Sequence, residues 1–299
     1  MKLQQAMQWL TRPLQTRIAS LVYPDGTQLA DFLEPPGEAA LLQPGTVSWQ
    51  VFGNPVALLV GGITAVLLEL AEPRVRTGVW EHTTFRERPL QRLRRTGYAA
   101  MMTAFGARSR AQSMILRINS GHARVRGRTP AGVAYEANDA ELLTWVHATA
   151  TFGFLQAYVR CVRELPASER DRFYVDNQPG ARLYGVPSPP GSERELDALF
   201  ERMHPLLEPS GIVLEFLAIM RRVPLLPAPL RGLQSLLVRV AVQNLPARTR
   251  TLLALDGPAW RVSAWQWMLV RALGRMADHL ALANLPALLA ERRLALPPR

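Results

Sequence analysis

Apolar and polar positions alternate along this chain with a helical period for most of its length. The run "PVALLVGGITAVLLEL" (55–70) is apolar almost throughout and closes on Glu69. It is too short to span a bilayer comfortably and predicts a buried core helix. The next helical stretch, "PLQRLRRTGYAAMMTAFG", opens on Pro89, a favoured first-turn residue, and carries Leu90, Leu93, Gly97, Ala100, Met101 and Ala104 along one inward stripe. Beside that stripe lie Arg92, Arg95, Thr96 and Ala99, at separations of three and four that place them together. Gly97, Ala99 and Ala100 leave room there for something flat and close.

A further stripe, Ala111, Ile115, Ile118, His122 and Val125, predicts a helix stopped by Gly127, with His122 facing the core side. "TPAGVAYEAND" then reads as a turn-rich connection with room for a short hairpin, and Asn138 or Asp139 caps a long helix over 140–165. Ser168 with Asp171 makes a capping box for the helix that follows. Breaks are expected at 186–192 ("VPSPPGS") and 223–232 ("VPLLPAPLRG"). Strand patterns are scarce and no internal repeat is found. The predicted fold is all-α, a single large helical domain enclosing a pocket, in three parts: residues 1–45 an amphipathic helix and irregular segment, 46–190 the core, and 191–299 helices packed on that core. In the first part Met7, Leu10, Leu14, Ile18 and Leu21 share a face and Trp9 lies beside them, so a peripheral membrane contact is expected there.

Charge narrows the picture. The net charge is +11, and of 35 basic residues only Lys2 is lysine, so arginine bias runs through the whole chain. The distribution says more than the total: residues 86–128 hold eleven arginines and a single acid, Glu87. Nucleic acid is not the expected partner, because that segment carries few stacking aromatics and its arginines flank inward-facing stripes. The lone cysteine, Cys161, excludes an internal disulfide, a Cys-rich zinc site and an iron–sulfur cluster. The N-terminal residues lack the unbroken apolar run of a signal peptide, and a cytoplasmic location, peripheral to the inner membrane face, is expected.

Several chemistries lack their residues. There is no Gly-x-Ser-x-Gly elbow, no Walker loop, no Gly-x-Gly-x-x-Gly, and the "HATA" around His147 is not His-Glu-x-x-His. His122 alone reads as a core histidine donating to a backbone carbonyl, and the arginines alone as a solvated face. Together, an inward imidazole flanked by arginines and a small-residue helix face is what a haem b site needs, since iron takes a neutral imidazole and propionates take guanidinium partners. His82 ("WEHTTF") and His147 ("WVHATA") are rival ligands. His204 precedes a proline, and His279 has only Asp278 for charged company.

The ordered run "LLELAEPRVRTGVWEHTTFRERPLQRLRRTGYAAMMTAFG…HARVRG…GVAYEANDAELLTWVHATATFGFLQAY…ERDRFY…ARLYGVP", spanning 67–187, resembles the MpaB/rubber-oxygenase catalytic domain family, which includes the latex clearing protein. The resemblance implies an all-α fold whose core binds one b-type haem, dioxygen as co-substrate, and oxidative cleavage of a carbon–carbon double bond, or related oxygen insertion, in an apolar, isoprenoid-like small molecule. The histidine of the family's His-x-x-Val-x-Gly motif falls on His122, the implied iron ligand. The family's Arg-x-x-Lys-Thr element falls on Arg92, Arg95 and Thr96, the implied catalytic residues. Arg92, Thr96, His122, Arg126 and His147 are the implied cofactor-binding set. Arg95 stands where the rubber oxygenases have lysine, and a guanidinium that stays protonated does not ligate iron, so a lysine-capped resting state is not expected. The glutamate base of the rubber oxygenases has no clear counterpart; Glu69, Glu72 and Glu81 stand as unseparated candidates. Two other readings remain: a haem-binding protein without oxygenase turnover (sensor, carrier or weak peroxidase), and a cofactor-free helical protein of membrane surfaces.

Overall fold

The computed structural model describes residues 29–279 and 285–297. The N-terminal stripe around Trp9 lies outside them. Among the described residues the chain forms thirteen α-helices and one small hairpin, so the all-α expectation holds. The centre is an antiparallel pair, α2 (Pro55–Glu69) and α6 (Ala140–Cys161), with the short α1 (Val47–Gly53) entering α2 through Asn54. The pair packs closely because Gly61 and Gly153 face each other. A Cβ on Gly61 would meet the Gly153 carbonyl oxygen at 2.8 Å, and one on Gly153 would meet the Gly61 oxygen at 2.4 Å, so neither position has room for a side chain.

The apolar run at 55–70 is therefore buried, as its pattern predicts, with Val60, Leu67 and Leu68 fully enclosed. No single helix among the described residues is long and apolar enough to cross a membrane. Around the pair lie α3 (Pro73–His82), α4 (Pro89–Phe105), α5 (Arg108–His122), α7 (Ala167–Leu183), α8 (Glu193–Met203), α9 (Gly211–Arg222), α10 (Arg231–Asn244), α11 (Ala247–Leu252), α12 (Ala264–His279) and α13 (Pro286–Ala295). Helices α10 and α12 both pack on α2 and α6. A buried polar contact ties α10 in: the Thr64 hydroxyl donates to the Ala241 carbonyl at 3.1 Å, and Asn244 Nδ2 reaches Thr64 at 3.3 Å.

Three local expectations are corrected. Helix α5 stops at His122, five residues before Gly127, because Val125 N donates to the His122 carbonyl (2.9 Å) and the chain turns into the strand β1 (Arg126–Arg128). Gly127 sits in that strand opposite Tyr135 of β2 (Ala134–Glu136), where a Cβ would lie 2.7 Å from the tyrosine oxygen. Ser168 lies inside α7, whose N-cap is Pro166 without a side-chain bond, and Asp171 instead accepts from Glu193 N at 2.9 Å. Finally, Gly97 is exposed rather than inward, with nothing within 4 Å of a Cβ placed on it. The expected caps elsewhere form: Asp139 Oδ1 accepts from Glu141 N and Leu142 N at the start of α6.

Candidate functional site

Three helix termini converge on one cluster. Glu69 is the last residue of α2, Arg92 and Thr96 lie on successive turns of α4, and His122 is the last residue of α5. The Arg92 guanidinium donates to the Thr96 hydroxyl, which in turn donates to the Arg92 carbonyl at 3.0 Å. The side chain of Arg92 is thereby laid along its own helix, where its charge acts on both Glu69 and His122.

Charge balance at Glu69 is unusual. Burial pushes its carboxyl up to about 7, against the opposing pull of Arg92 and of nearby Thr149. The Thr149 hydroxyl is itself committed to the Val146 carbonyl (2.9 Å), so Arg92 is the principal counter-charge. Position adds to the effect: a carboxylate at the C-terminal end of a helix meets the negative end of the macrodipole. Burial also draws the Arg92 guanidinium below its usual range, with Glu69 opposing and Arg95 reinforcing the change.

The His122 imidazole is held below its ordinary value, first by burial and then by the charge of Arg92, which favours the neutral ring. Its Nδ1 is buried without a hydrogen-bond partner, so the bland role of donor to a backbone carbonyl is not one it plays through that atom. The preceding residue, Gly121, and Gly97 on α4 both face open space. His147 lies on α6 two residues before Thr149, roughly 200° around the helix from it. Its ring is pushed down to about 4 by burial, and Nε2 is buried without a partner. Arg95 and Arg126 are exposed, the latter on β1 four residues after His122. Arg92 thus links Glu69, Thr96 and His122, with the exposed Arg95 adding its charge to that of Arg92, while Arg126 and His147 stay outside that set of interactions.

The three candidate glutamates now separate. Glu72 caps α3, accepting from Val75 N at 2.8 Å and pairing with Arg74 at 2.6 Å, and is fully employed in structure. Glu81 is exposed, with the Tyr135 hydroxyl at 3.5 Å. Of the three, Glu69 is the one whose titration the charge of Arg92 shifts. His82 also has a structural partner, the Tyr135 hydroxyl at 3.1 Å from Nε2.

Among the described residues no group of three or more His, Cys, Asp or Glu side chains could hold a metal ion by itself. A porphyrin iron asks the protein for one strong ligand, and the buried, unpartnered Nδ1 of His122 has the chemistry of such a ligand. Two surface clefts, of about 370 Å³ beside Pro89 and about 420 Å³ beside Tyr98, are lined by other residues.

The sequence profile of the family described as "ER-bound oxygenase mpaB/B'/Rubber oxygenase, catalytic domain" matches residues 49–279. The match runs well past the motifs legible at 67–187 and takes in α8 to α12. No curated protein and no solved structure matches the chain. The chain belongs to the mpaB/rubber oxygenase catalytic-domain family, and so to a family of oxygenases, which are oxidoreductases.

Proposed function

We propose that this oxygenase is haem b-dependent and acts on an apolar, isoprenoid-like substrate, cleaving a carbon–carbon double bond so that the two atoms of dioxygen end in two carbonyl products. The observation that carries the reading is the convergence of Glu69, Arg92, Thr96 and His122 from three helices beside open helix surface. His122, neutral and with a buried, unpartnered Nδ1, would hold the iron. Arg126, exposed on the strand that follows, would meet a propionate, and His147 would back the cofactor with a second neutral ring.

Bound haem supplies the one-electron chemistry that lets dioxygen react with a closed-shell alkene. The remaining tasks fall to side chains. Thr96 holds the Arg92 guanidinium along its helix before substrate arrives, so the N–H groups left on that guanidinium are placed without reorganisation for negative charge developing on oxygen. Glu69, whose carboxyl is pushed up to about 7, is divided between its two protonation states at neutral pH and is suited to take a proton from an allylic carbon of the substrate and return it before the two carbonyl products leave, so that no proton is gained or lost overall. Arg92 would stabilise the carboxylate needed for that transfer. Arg95 would remain solvated at the edge of the same helix face.

Haem titration into the purified chain tests the reading. The expected result is saturation near one haem per chain with a strong Soret band, and carbonyl products that carry label from ¹⁸O₂. Protein that stays colourless after haem addition overturns it.

A further inference from the structure

The outer face of α12 is apolar where it meets water. Its inner face carries Val270 and Gly274, both buried, and is pinned to the core. Asn54 Nδ2 donates to the Gly274 carbonyl at 2.9 Å and to Asp278 Oδ1 at 2.8 Å, and the Tyr158 hydroxyl donates to Asp278 Oδ2 at 3.1 Å. The opposite face exposes Trp265 (61%), Met268 (66%), Leu269 (41%) and Met276 (53%), which share an arc of roughly 100° at 100° per residue. A helix lying on a globular core normally turns polar residues to that side. Here four large apolar side chains stand together, which marks an interaction surface.

The charges at its edge identify the partner. Arg271 and Arg275 border the arc and are exposed; their Nε atoms donate to the carbonyls of Arg160 and Val162, each at 3.1 Å. Arg160 and Arg250 both donate to the Gln243 carbonyl, and Arg160 lies within the field of Arg250 and Arg271. None of these four arginines has a carboxylate ion pair among the described residues. The one acid on α12, Asp278, has both oxygens occupied by Asn54 and Tyr158.

We propose that this face of α12 docks the protein onto an anionic lipid surface, with Trp265, Met268, Leu269 and Met276 entering the boundary between headgroups and acyl chains and the flanking arginines meeting lipid phosphates. A second copy of the chain fits the same arc poorly. Two such faces laid together would bring the arginine flanks of both copies to one interface with no acid to pair them, whereas anionic lipid supplies the missing charge. The inference does not rest on the haem reading, because it uses none of the residues assigned there.

Co-sedimentation of the full chain with vesicles tests it, using phosphatidylcholine alone or mixed with phosphatidylglycerol. The protein should bind the mixed vesicles in a salt-sensitive way and bind neutral vesicles far less. The combined variant Trp265→Ser/Met268→Ser/Leu269→Ser should lose roughly 10-fold or more in affinity, since each buried apolar side chain contributes strongly to partition. Arg271→Gln and Arg275→Gln should each lose about 5-fold. Circular dichroism checks that the variants fold. As a second measurement, brominated lipid should quench tryptophan emission in the parent and much less in Trp265→Phe. Failure to bind mixed vesicles, equal binding to both compositions, or binding unchanged by the combined variant overturns the proposal. So does light scattering that shows a dimer which the combined variant converts to monomer while vesicle binding persists.

Discussion

The two ends of α2 each carry a polar residue, Asn54 fully buried and Glu69 half-buried, and the two are treated in opposite ways. At the N-terminal end every hydrogen-bonding site of the Asn54 side chain is used: Oδ1 accepts from Val56 N and Ala57 N, both at 3.0 Å, while Nδ2 donates to the Gly274 carbonyl and to Asp278. At the C-terminal end Glu69 is desolvated, sits at the wrong pole of the helix dipole, and has Arg92 as its principal counter-charge. The first end is an anchor that locks α12 to the core. The second keeps a group near its point of titration, which costs stability and suits the proton transfer proposed for it. One helix, fixed at one end by satisfied bonds, carries the desolvated carboxyl at the other.

The largest expected effect breaks the anchored end. Asn54→Ala removes an N-cap and leaves the Gly274 carbonyl and Asp278 without their donor, so it should lower stability by about 3–5 kcal/mol. The shift of the urea midpoint measures it. A loss under about 1 kcal/mol would show that α12 does not depend on this contact.

At the reactive end the loss should fall on turnover instead. Arg92→Ala should keep the haem spectrum and slow kcat by roughly 10²–10³-fold, the effect of removing one preorganised donor to developing charge, and Thr96→Ala should keep it too and slow kcat by less, since Thr96 only holds that donor in place. Glu69→Gln should slow it by roughly 10²–10⁴-fold as the proton acceptor is lost. Residual activity in Arg92→Leu should also appear at higher pH than in the parent, because Arg92 now lowers the Glu69 carboxyl. An unshifted pH profile would disconnect Arg92 from Glu69.

Smaller effects concern pH and stability. The folded Glu69 carboxyl titrates at about 7 against an ordinary 4.5, so the folded state holds its proton longer and stability should fall as pH rises from 4.5 to 7. Glu69→Gln removes that fall and should be more stable than the parent at pH 8 by about 2 kcal/mol, allowing for partial exposure, with the advantage gone below pH 4.5. His147 works in the other direction. Its ring, pushed down to about 4 from an ordinary 6.5, makes the fold lose stability as pH drops through that window, and His147→Phe should flatten the acid limb. Thermal melts across pH measure both.

Much of this was legible in residue patterns, for reasons that differ by element. The 55–70 helix, the Pro89 start and the Asp139 cap are local features, each decided within a few residues, and they form as expected. The end of α5 was misread because Val125 continues the apolar stripe. What stops the helix is a hairpin held by the Tyr135 contact, and no residue in the stripe announces it. Choosing among Glu69, Glu72 and Glu81 needed the charge of Arg92 on α4 acting at the end of α2, a relation between segments distant in sequence. One sign was available: Glu69 is the only acid in an otherwise apolar run, whereas Glu72 precedes Pro73 like a cap. Asn54 was passed over although Asn before Pro is a cap signal. The apolar arc of α12 was hidden because a pattern of Trp, Met and Leu does not say which side of a helix meets water.

The central claim is that His122 holds the iron, and visible absorption spectra of haem-reconstituted His122→Ala and His147→Ala, measured side by side, test it most directly. The account predicts that His122→Ala fails to retain haem, or gives a weakly ligated spectrum that added imidazole partly restores, while His147→Ala keeps the parent Soret band. A normal spectrum in His122→Ala together with lost haem in His147→Ala would contradict it and move the ligand to the middle of α6.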